Sequence, residues 1–191
     1  SVSLDNVGDF IEFSGTIGGS LSNNTNFGMR VGFYNSSGAT INSDFDPDMD
    51  SLAGLWAGLG TRNDGTPFGG LGNQDDTNPF LRLDSTSGGN FSTGSHSGVW
   101  NGDVVTFRIE RIVGDELEVT ALKGASALRS GTQTIAAAAA TSFDTLAIGF
   151  VTSGEATFAG IEVTAVPEPS SFSAILGLIG LGSVVSRRKR R

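Results

Sequence analysis

The fold is decided by residues 104–123, which read VVTFRIERIVGDELEVTALK. Apolar and polar side chains alternate on both sides of Gly114-Asp115, a period of two that is typical of β-strands with one buried face. A two-residue connection of this kind suits the twist of paired strands. The sequence therefore predicts a β-hairpin of Val104 to Val113 and Glu116 to Lys123. Its buried side is expected to carry Val105, Phe107, Ile109, Leu117, Val119 and Ala121.

Further strands are predicted on both sides of this hairpin. Phe10 to Ile17 alternates until it meets Gly18-Gly19, and from Phe27 to Tyr34 every second residue is a large apolar one. Other strands are expected at Leu52 to Leu59, Phe80 to Leu83, Phe143 to Val151 and Glu155 to Val166. Loops are expected at Asn63-Asp64-Gly65, Gly69 to Asn78 and Ser85 to Gly98. The run Ala136 to Ala140 is too short to hold a helix alone and fits a helix, a strand or a linker.

Residues 1–165 are predicted to form one all-β domain, a two-sheet β-sandwich of roughly nine to twelve short strands. The order of these strands resembles the laminin-G or concanavalin A-like jelly roll. The resemblance rests on the charged hairpin, on Leu146 to Phe150 and on a closing strand with Phe158, Ile161 and Val163. It implies a jelly-roll body but leaves the activity open, because that scaffold hosts lectins, glycosidases and structural modules.

The last 26 residues, 166–191, differ in character from the body. An uncharged apolar run, Phe172 to Val185, would extend about 21 Å as a helix, or about 25 Å if the helix has about 17 residues, against a hydrocarbon core of about 30 Å. It predicts a short C-terminal transmembrane helix, with an ordinary membrane anchor or a buried core helix as alternatives. The terminal cations would stay on the cytoplasmic side and leave the body outside. These cations are Arg187, Arg188, Lys189, Arg190 and Arg191.

A Pro-Glu-Pro box, Pro167-Glu168-Pro169, precedes the apolar run. Together, the box, the short hydrophobic helix and the Arg-rich end resemble the PEP-CTERM sorting signal. The resemblance implies an exported protein whose tail is recognised by an exosortase, a membrane-embedded cysteine protease or transpeptidase. It also implies release or transfer of the body to the cell surface or the exopolysaccharide of a Gram-negative-type bacterium. Such a sorting signal is like a GPI-anchor signal, whose hydrophobic tail is removed from the mature protein.

The charge of the chain is divided unequally. The formal charge is −8 overall; the tail holds one acid and five bases (+4), so residues 1–166 hold 19 acids and 7 bases (−12). An acidic body argues against nucleic acid as a partner, since phosphate binding needs a basic surface. With no cysteine, the chain has neither disulfides nor a thiolate metal site. No signal peptide precedes Ser1, so we expect this N-terminus to be a processed or trimmed one.

An acidic loop is predicted at Asn42 to Asp50. Its four carboxylates within seven residues repel one another, and Ca²⁺ would relieve this repulsion by accepting several oxygen ligands. The pattern is not an EF-hand, because Met49 and Leu55 stand where that motif needs Gly and Glu. A solvated acidic loop without metal is the alternative. The candidate calcium ligands are Asp44, Asp46, Asp48 and Asp50.

Sugar binding would use an exposed aromatic side chain. Trp56 lies in an apolar run and is predicted to be a core residue, whereas Trp100 lies at the end of a loop and is the better candidate. Tyr34 is a candidate by residue type alone. A calcium-assisted carbohydrate-binding module is therefore the alternative to a structural surface protein.

Candidates for catalysis are few. His96 lies in Gly94 to Gly98, which lacks the Gly-x-Ser-x-Gly nucleophile pattern. Glycosidases need two carboxylates in one cleft. Glu116 and Glu118 share a strand face, but they are expected to form a solvated edge beside the hairpin turn. The leading hypothesis is thus a non-enzymatic exported protein, with a polysaccharide-degrading enzyme as the weakest alternative.

Overall fold

The computed structural model describes residues 1–19, 27–38, 52–61, 67–74, 101–151 and 156–166. These residues form eleven β-strands and a single three-residue 3₁₀ turn, Ile135–Ala137. The strands are β1 Val2–Ser3, β2 Phe10–Gly19, β3 Phe27–Asn35, β4 Ala53–Thr61, β5 Pro67–Gln74, β6 Val104–Ile112, β7 Glu116–Lys123, β8 Ser126–Thr134, β9 Ser142–Phe143, β10 Thr145–Val151 and β11 Ala156–Ala165.

The strands pair antiparallel in three sheets. A five-stranded sheet has the order β11-β2-β6-β7-β8, a four-stranded sheet the order β10-β3-β4-β5, and β1 pairs with β9. The first long strand, β2, therefore lies between the last strand and the hairpin, with Phe13 opposite both Val163 and Phe107. This pairing of distant segments brings the two ends of the body together.

The predicted hairpin is confirmed. Strands β6 and β7 pair from Val105 opposite Lys123 to Ile112 opposite Glu116. Strand β6 ends at Ile112, one residue earlier than predicted, so that Val113 lies in the turn. Gly114 and Asp115 have φ of +84° and +55°, the left-handed region that glycine and aspartate enter more readily than most residues. The six side chains predicted for the buried side are all buried.

The two larger sheets share one hydrophobic core. The ring of Phe33 on β3 stacks on that of Phe107 on β6, with centroids 5.7 Å apart and planes inclined by 19°. Phe143 adds a third ring, 6.3 Å from Phe33. The five-stranded sheet contributes Ile11, Phe13, Ile17, Val105, Phe107, Ile109, Leu117, Val119 and Ala121, and the four-stranded sheet contributes Met29, Val31, Phe33, Leu55, Ala57, Leu59 and Leu71.

Some predicted boundaries are wrong. The loop expected at Gly69 to Asn78 begins as a strand, because Pro67–Gln74 pairs with β4 from Gly54 to Thr61. Besides β5, the strands β1 and β8 were not predicted. Of the alanine run Ala136 to Ala140, only Ala136 and Ala137 lie in the 3₁₀ turn Ile135–Ala137. The predicted elements at residues 63–65, 80–83 and 85–98 lie outside the described part of the chain.

A pair of amide side chains joins the edge strands β5 and β8. Asn73 Nδ2 donates to Gln133 Oε1 at 2.8 Å, and Gln133 Nε2 donates back to Asn73 Oδ1 at 3.0 Å. Asn73 also accepts from the backbone N–H of Ala139 at 3.2 Å and donates to the carbonyl of Ala137 at 3.3 Å. These bonds connect the two sheets along one side and hold the alanine run against them.

We predict that Asn73→Ala lowers the free energy of unfolding by about 1–3 kcal/mol, since it leaves half-buried polar atoms without their partners. Urea unfolding measures the change. A matched control, Thr132→Ala, truncates an exposed residue on β8 and should change stability by no more than about 0.5 kcal/mol. In a double-mutant cycle, Asn73→Ala with Gln133→Ala should cost less than the two single changes added together. If the two losses in the free energy of unfolding simply added, Asn73 and Gln133 would not be a coupled pair, and the prediction would be wrong.

Candidate functional site

Most residues predicted from the sequence to carry function lie outside the described part of the chain. This holds for the candidate calcium ligands Asp44, Asp46, Asp48 and Asp50, for His96 and Trp100, for Pro167, Glu168 and Pro169, and for Arg187, Arg188, Lys189, Arg190 and Arg191. The calcium and carbohydrate hypotheses therefore stay predictions.

Within the described residues, polar side chains are buried on the outer face of the four-stranded sheet. Along β3, Met29, Val31 and Phe33 point into the shared core, so Arg30 and Tyr34 point to the opposite face. Both are buried, with 2% and 0% of their surface exposed. Tyr34, Leu52, Trp56 and Ala147 form a second buried cluster there. The four-stranded sheet is thus buried on both faces.

Glycines make room for the aromatic rings on this face. A Cβ atom at Gly72 would lie 2.7 Å from Cζ2 of Trp56, and one at Gly32 would lie 2.6 Å from Cε2 of Tyr34. Real Cβ atoms do not approach this closely, so a side chain at either position would displace a ring. Gly72 lies in a segment predicted as a loop and Gly32 in a predicted strand, and at both positions a ring packs against the strand backbone.

Arg30 covers the indole of Trp56. Its guanidinium carbon lies 3.9 Å from the ring centroid, and the indole Nε1 donates to the carbonyl of Asn73 at 3.2 Å. A desolvated cation over an aromatic ring gains electrostatic attraction from the ring's negative face. Arg30 was not among the residues predicted from the sequence to carry function. The available signal was a charged residue between Gly28 and Gly32 in an otherwise apolar strand.

Burial raises the pKa of the Tyr34 hydroxyl far above its ordinary value, and the nearby charge of Arg30 lowers it by a smaller amount. The hydroxyl is therefore neutral at physiological pH and can donate a hydrogen bond. Trp56 is buried as predicted, but on the outer face of its sheet and not in the main core. Since Trp56 is 5% exposed and Tyr34 fully buried, neither offers an open surface for stacking a sugar ring.

Glu116 and Glu118 do not lie on an edge, so that prediction is wrong. Their strand β7 runs between β6 and β8, inside the five-stranded sheet. Their neighbours Leu117 and Val119 are buried, and so both carboxylates stand half-exposed on the outer face of the sheet. Glu118 is directly opposite Glu110 across the strands. The hairpin connects two central strands, which is why the sequence-based expectation failed.

An arginine on the same face binds two of its carboxylates. Arg108 donates to Glu110 Oε2 at 2.8 Å and to Glu12 Oε2 at 3.3 Å, and its guanidinium carbon lies 3.6 Å from the ring centroid of Phe10. The charged side chains are about 29% exposed, so solvent screens these pairs and each contributes at most about 1 kcal/mol. This face is a solvated charged surface.

Asp144 fixes the residues that lead into the predicted acidic loop. Its carboxylate accepts hydrogen bonds from the backbone N–H of Ser36 at 2.8 Å, from the Ser36 hydroxyl at 2.9 Å and from the Thr145 hydroxyl at 2.9 Å. The bond from the Ser36 N–H is the main reason that the pKa of Asp144 is lowered. Among the described residues, no group of three or more His, Cys, Asp and Glu side chains is placed to hold a metal ion.

No helix in the part of the chain that the structure describes is long and apolar enough to cross a lipid bilayer.

Comparison with known proteins assigns the tail. Residues 165–191 match the PEP-CTERM protein-sorting motif, which implies export and sorting at the bacterial cell envelope. No curated protein matches the chain.

Two solved structures of scytalido-glutamic peptidase show a weak likeness to this chain. One, with a peptide-based transition-state analogue, has 12% identity and a TM-score of 0.38 over 86% of this chain and 77% of that one. The other, with a transition-state analogue inhibitor, has 12% identity and a TM-score of 0.32 over 87% and 80%. At these scores neither structure informs the fold or the activity of this chain.

We predict that Tyr34 makes the fold sensitive to alkali. Its pKa is raised in the folded chain above the unfolded value of 10.0, so the contribution to stability is fully present below pH 10. Above that pH the unfolded chain loses a proton that the folded chain keeps, and the free energy of unfolding falls by about 1.4 kcal/mol per pH unit.

Urea unfolding between about pH 9 and 11 measures how the free energy of unfolding depends on pH. The variant Tyr34→Phe should lack the part of this dependence that comes from the tyrosine hydroxyl. Tyr34 is the sole tyrosine, so tyrosinate absorbance reports on it alone. If tyrosinate absorbance rose with a midpoint near the ordinary tyrosine pKa while the chain stayed folded, the Tyr34 hydroxyl would be accessible to solvent. That result would contradict the prediction.

Proposed function

We propose that this chain is an exported, non-enzymatic protein of the bacterial cell surface or exopolysaccharide, delivered there by exosortase processing of its tail. The single observation that carries the proposal is the match of residues 165–191 to the PEP-CTERM sorting motif. The apolar run from Phe172 holds the unprocessed chain in the membrane, and the basic end from Arg187 holds its terminus on the cytoplasmic side. Processing near Pro167 to Pro169 then separates the body from the membrane.

The body is proposed to be a jelly roll of the laminin-G or concanavalin A-like kind. Support comes from the antiparallel pairing throughout the described strands and from a single core shared by sheets of five and four strands. A body without cysteine keeps its fold outside the cell by this core and not by disulfides.

A structural or adhesive role is supported by the placement of the acidic side chains. Glu116 and Glu118 stand half-exposed on the outer face of the five-stranded sheet, and Glu12 and Glu110 are bound to Arg108. A glycosidase needs one carboxylate as acid and another as nucleophile or base on either side of a bound sugar. The calcium-assisted carbohydrate-binding alternative depends on Trp100 and on Asp44 to Asp50, and it stays a prediction.

We predict that the fate of the chain depends on an exosortase. Expressed in a bacterium that has the enzyme, the body should be recovered outside the cell or at its surface, with an intact mass that lacks the apolar run and the basic end. In a strain without the enzyme, the full-length chain should accumulate in the membrane fraction.

The Pro-Glu-Pro box should be needed for this outcome. A triple variant, Pro167→Ala, Glu168→Ala and Pro169→Ala, should accumulate at full length even where the enzyme is present. The control Glu162→Ala removes an exposed glutamate from β11, six residues before Glu168, and should be processed normally. Recovery of an unchanged full-length product from the cytoplasm of both strains would refute the proposal.

A further inference from the structure

The strand register fixes the end of the body from which the tail leaves. Strand β11 runs antiparallel to β2 and ends with Ala165 opposite Ile11. The next residue, Val166, donates its backbone N–H to the carbonyl of Phe10 at 3.2 Å. The chain therefore leaves the body where β2 begins, at the end that also holds the β6–β7 hairpin turn. We call this the exit end.

Two turns at the exit end present valines to solvent. Val7, in the turn before β2, is 61% exposed, and Val113, in the hairpin turn, is 73% exposed. The turns are joined by backbone bonds, from Gly8 N–H to the Arg111 carbonyl at 2.8 Å and from Arg111 N–H to the Asp9 carbonyl at 2.9 Å. The two valines are thus held on neighbouring turns of one rigid sheet.

Two exposed alanines add to the apolar surface of the exit end. The backbone N–H of Ile135 donates to the carbonyl of Asp115 in the hairpin turn at 2.9 Å, which places the 3₁₀ turn at the exit end. Its residues Ala136 and Ala137 are exposed. At the opposite end, Val104 begins β6 and is 43% exposed. Val104 therefore serves as an internal reference for an exposed valine far from the tail.

The tether between the body and the apolar run is short. Five residues, 167–171, separate Val166 from Phe172, and even a fully extended chain of this length reaches only about 20 Å. The polar headgroup region adds only about 5–8 Å on each side of the hydrocarbon core. While the apolar run lies in a bilayer, the exit end has to stay close to the lipid surface.

We propose that, before processing, the exit end rests on the outer lipid surface and places Val7 and Val113 at the boundary between headgroups and acyl chains. Apolar side chains that project from rigid turns gain free energy by leaving water for this boundary. Asp5, just before the turn of Val7, and Asp115, in the hairpin turn, are both exposed. Anionic headgroups would repel these carboxylates, so the lipid surface is a zwitterionic and not an anionic one. Arg111, the nearby cation, is bound to Asp115 at 3.0 Å. The inference rests on the proposed function, because it needs the tail in a membrane.

The test uses the full chain in phosphatidylcholine vesicles. Since the chain has no cysteine, single substitutions give unique sites for a polarity-sensitive dye. Val7→Cys and Val113→Cys report on the exit end, Val104→Cys on the opposite end, and Ser183→Cys on the tail. Emission from positions 7 and 113 should shift to the blue on vesicles and be quenched by spin-labelled lipid, whereas emission from position 104 should not change.

The outcomes separate the inference from its premise. If position 183 is quenched by lipid while positions 7 and 113 behave like position 104, the tail is inserted but the exit end does not touch the bilayer, and the inference is overturned. If position 183 is not quenched, the tail does not enter the bilayer, and the membrane step of the proposed function fails with the inference. Quenching at positions 7, 113 and 183, but not at 104, supports both.

Discussion

Burial of the four-stranded sheet on both faces is the constraint on which the rest of the body depends. A strand directs alternate side chains to opposite faces, so β3 sends Val31 and Phe33 into the shared core and Arg30 and Tyr34 to the other side. A buried cation is stable only if its charge is compensated, and the indole of Trp56 contributes part of that compensation. The glycines of this sheet follow from the same requirement, because they leave room for the rings.

The five-stranded sheet meets a different requirement. One of its faces packs on the core and the other meets water, which gives the clean alternation of antiparallel sheets that are half-buried. Its outer face can therefore carry Arg108 with Glu12 and Glu110 at little cost, since solvent screens them. The two sheets of one body thus differ in composition because they differ in what covers them.

The pairing of β2 with β11 connects this architecture to the proposed sorting. It joins the first long strand to the last, and so it sets the place at which the chain leaves the body after Val166. The sorting motif is in this way attached to one defined end of the body. In the proposed membrane-bound form, the turns of that end, around Val7 and Val113, are the part of the body nearest to the bilayer.

Local patterns in the sequence determined the hairpin at residues 104–123, the strand from Phe27 and the sorting motif, because period-two alternation, a turn signal and a short linear motif are each contained in consecutive residues. Tertiary structure alone decided that Pro67–Gln74 is a strand and that Glu118 lies inside a sheet. Those properties depend on partners distant in the chain: β4 supplies the hydrogen bonds of a glycine-rich strand, and β8 covers the free edge of β7. The burial of Arg30 likewise depends on what covers its face of the sheet, and the position of Arg30 between two glycines in an apolar strand does not by itself determine that.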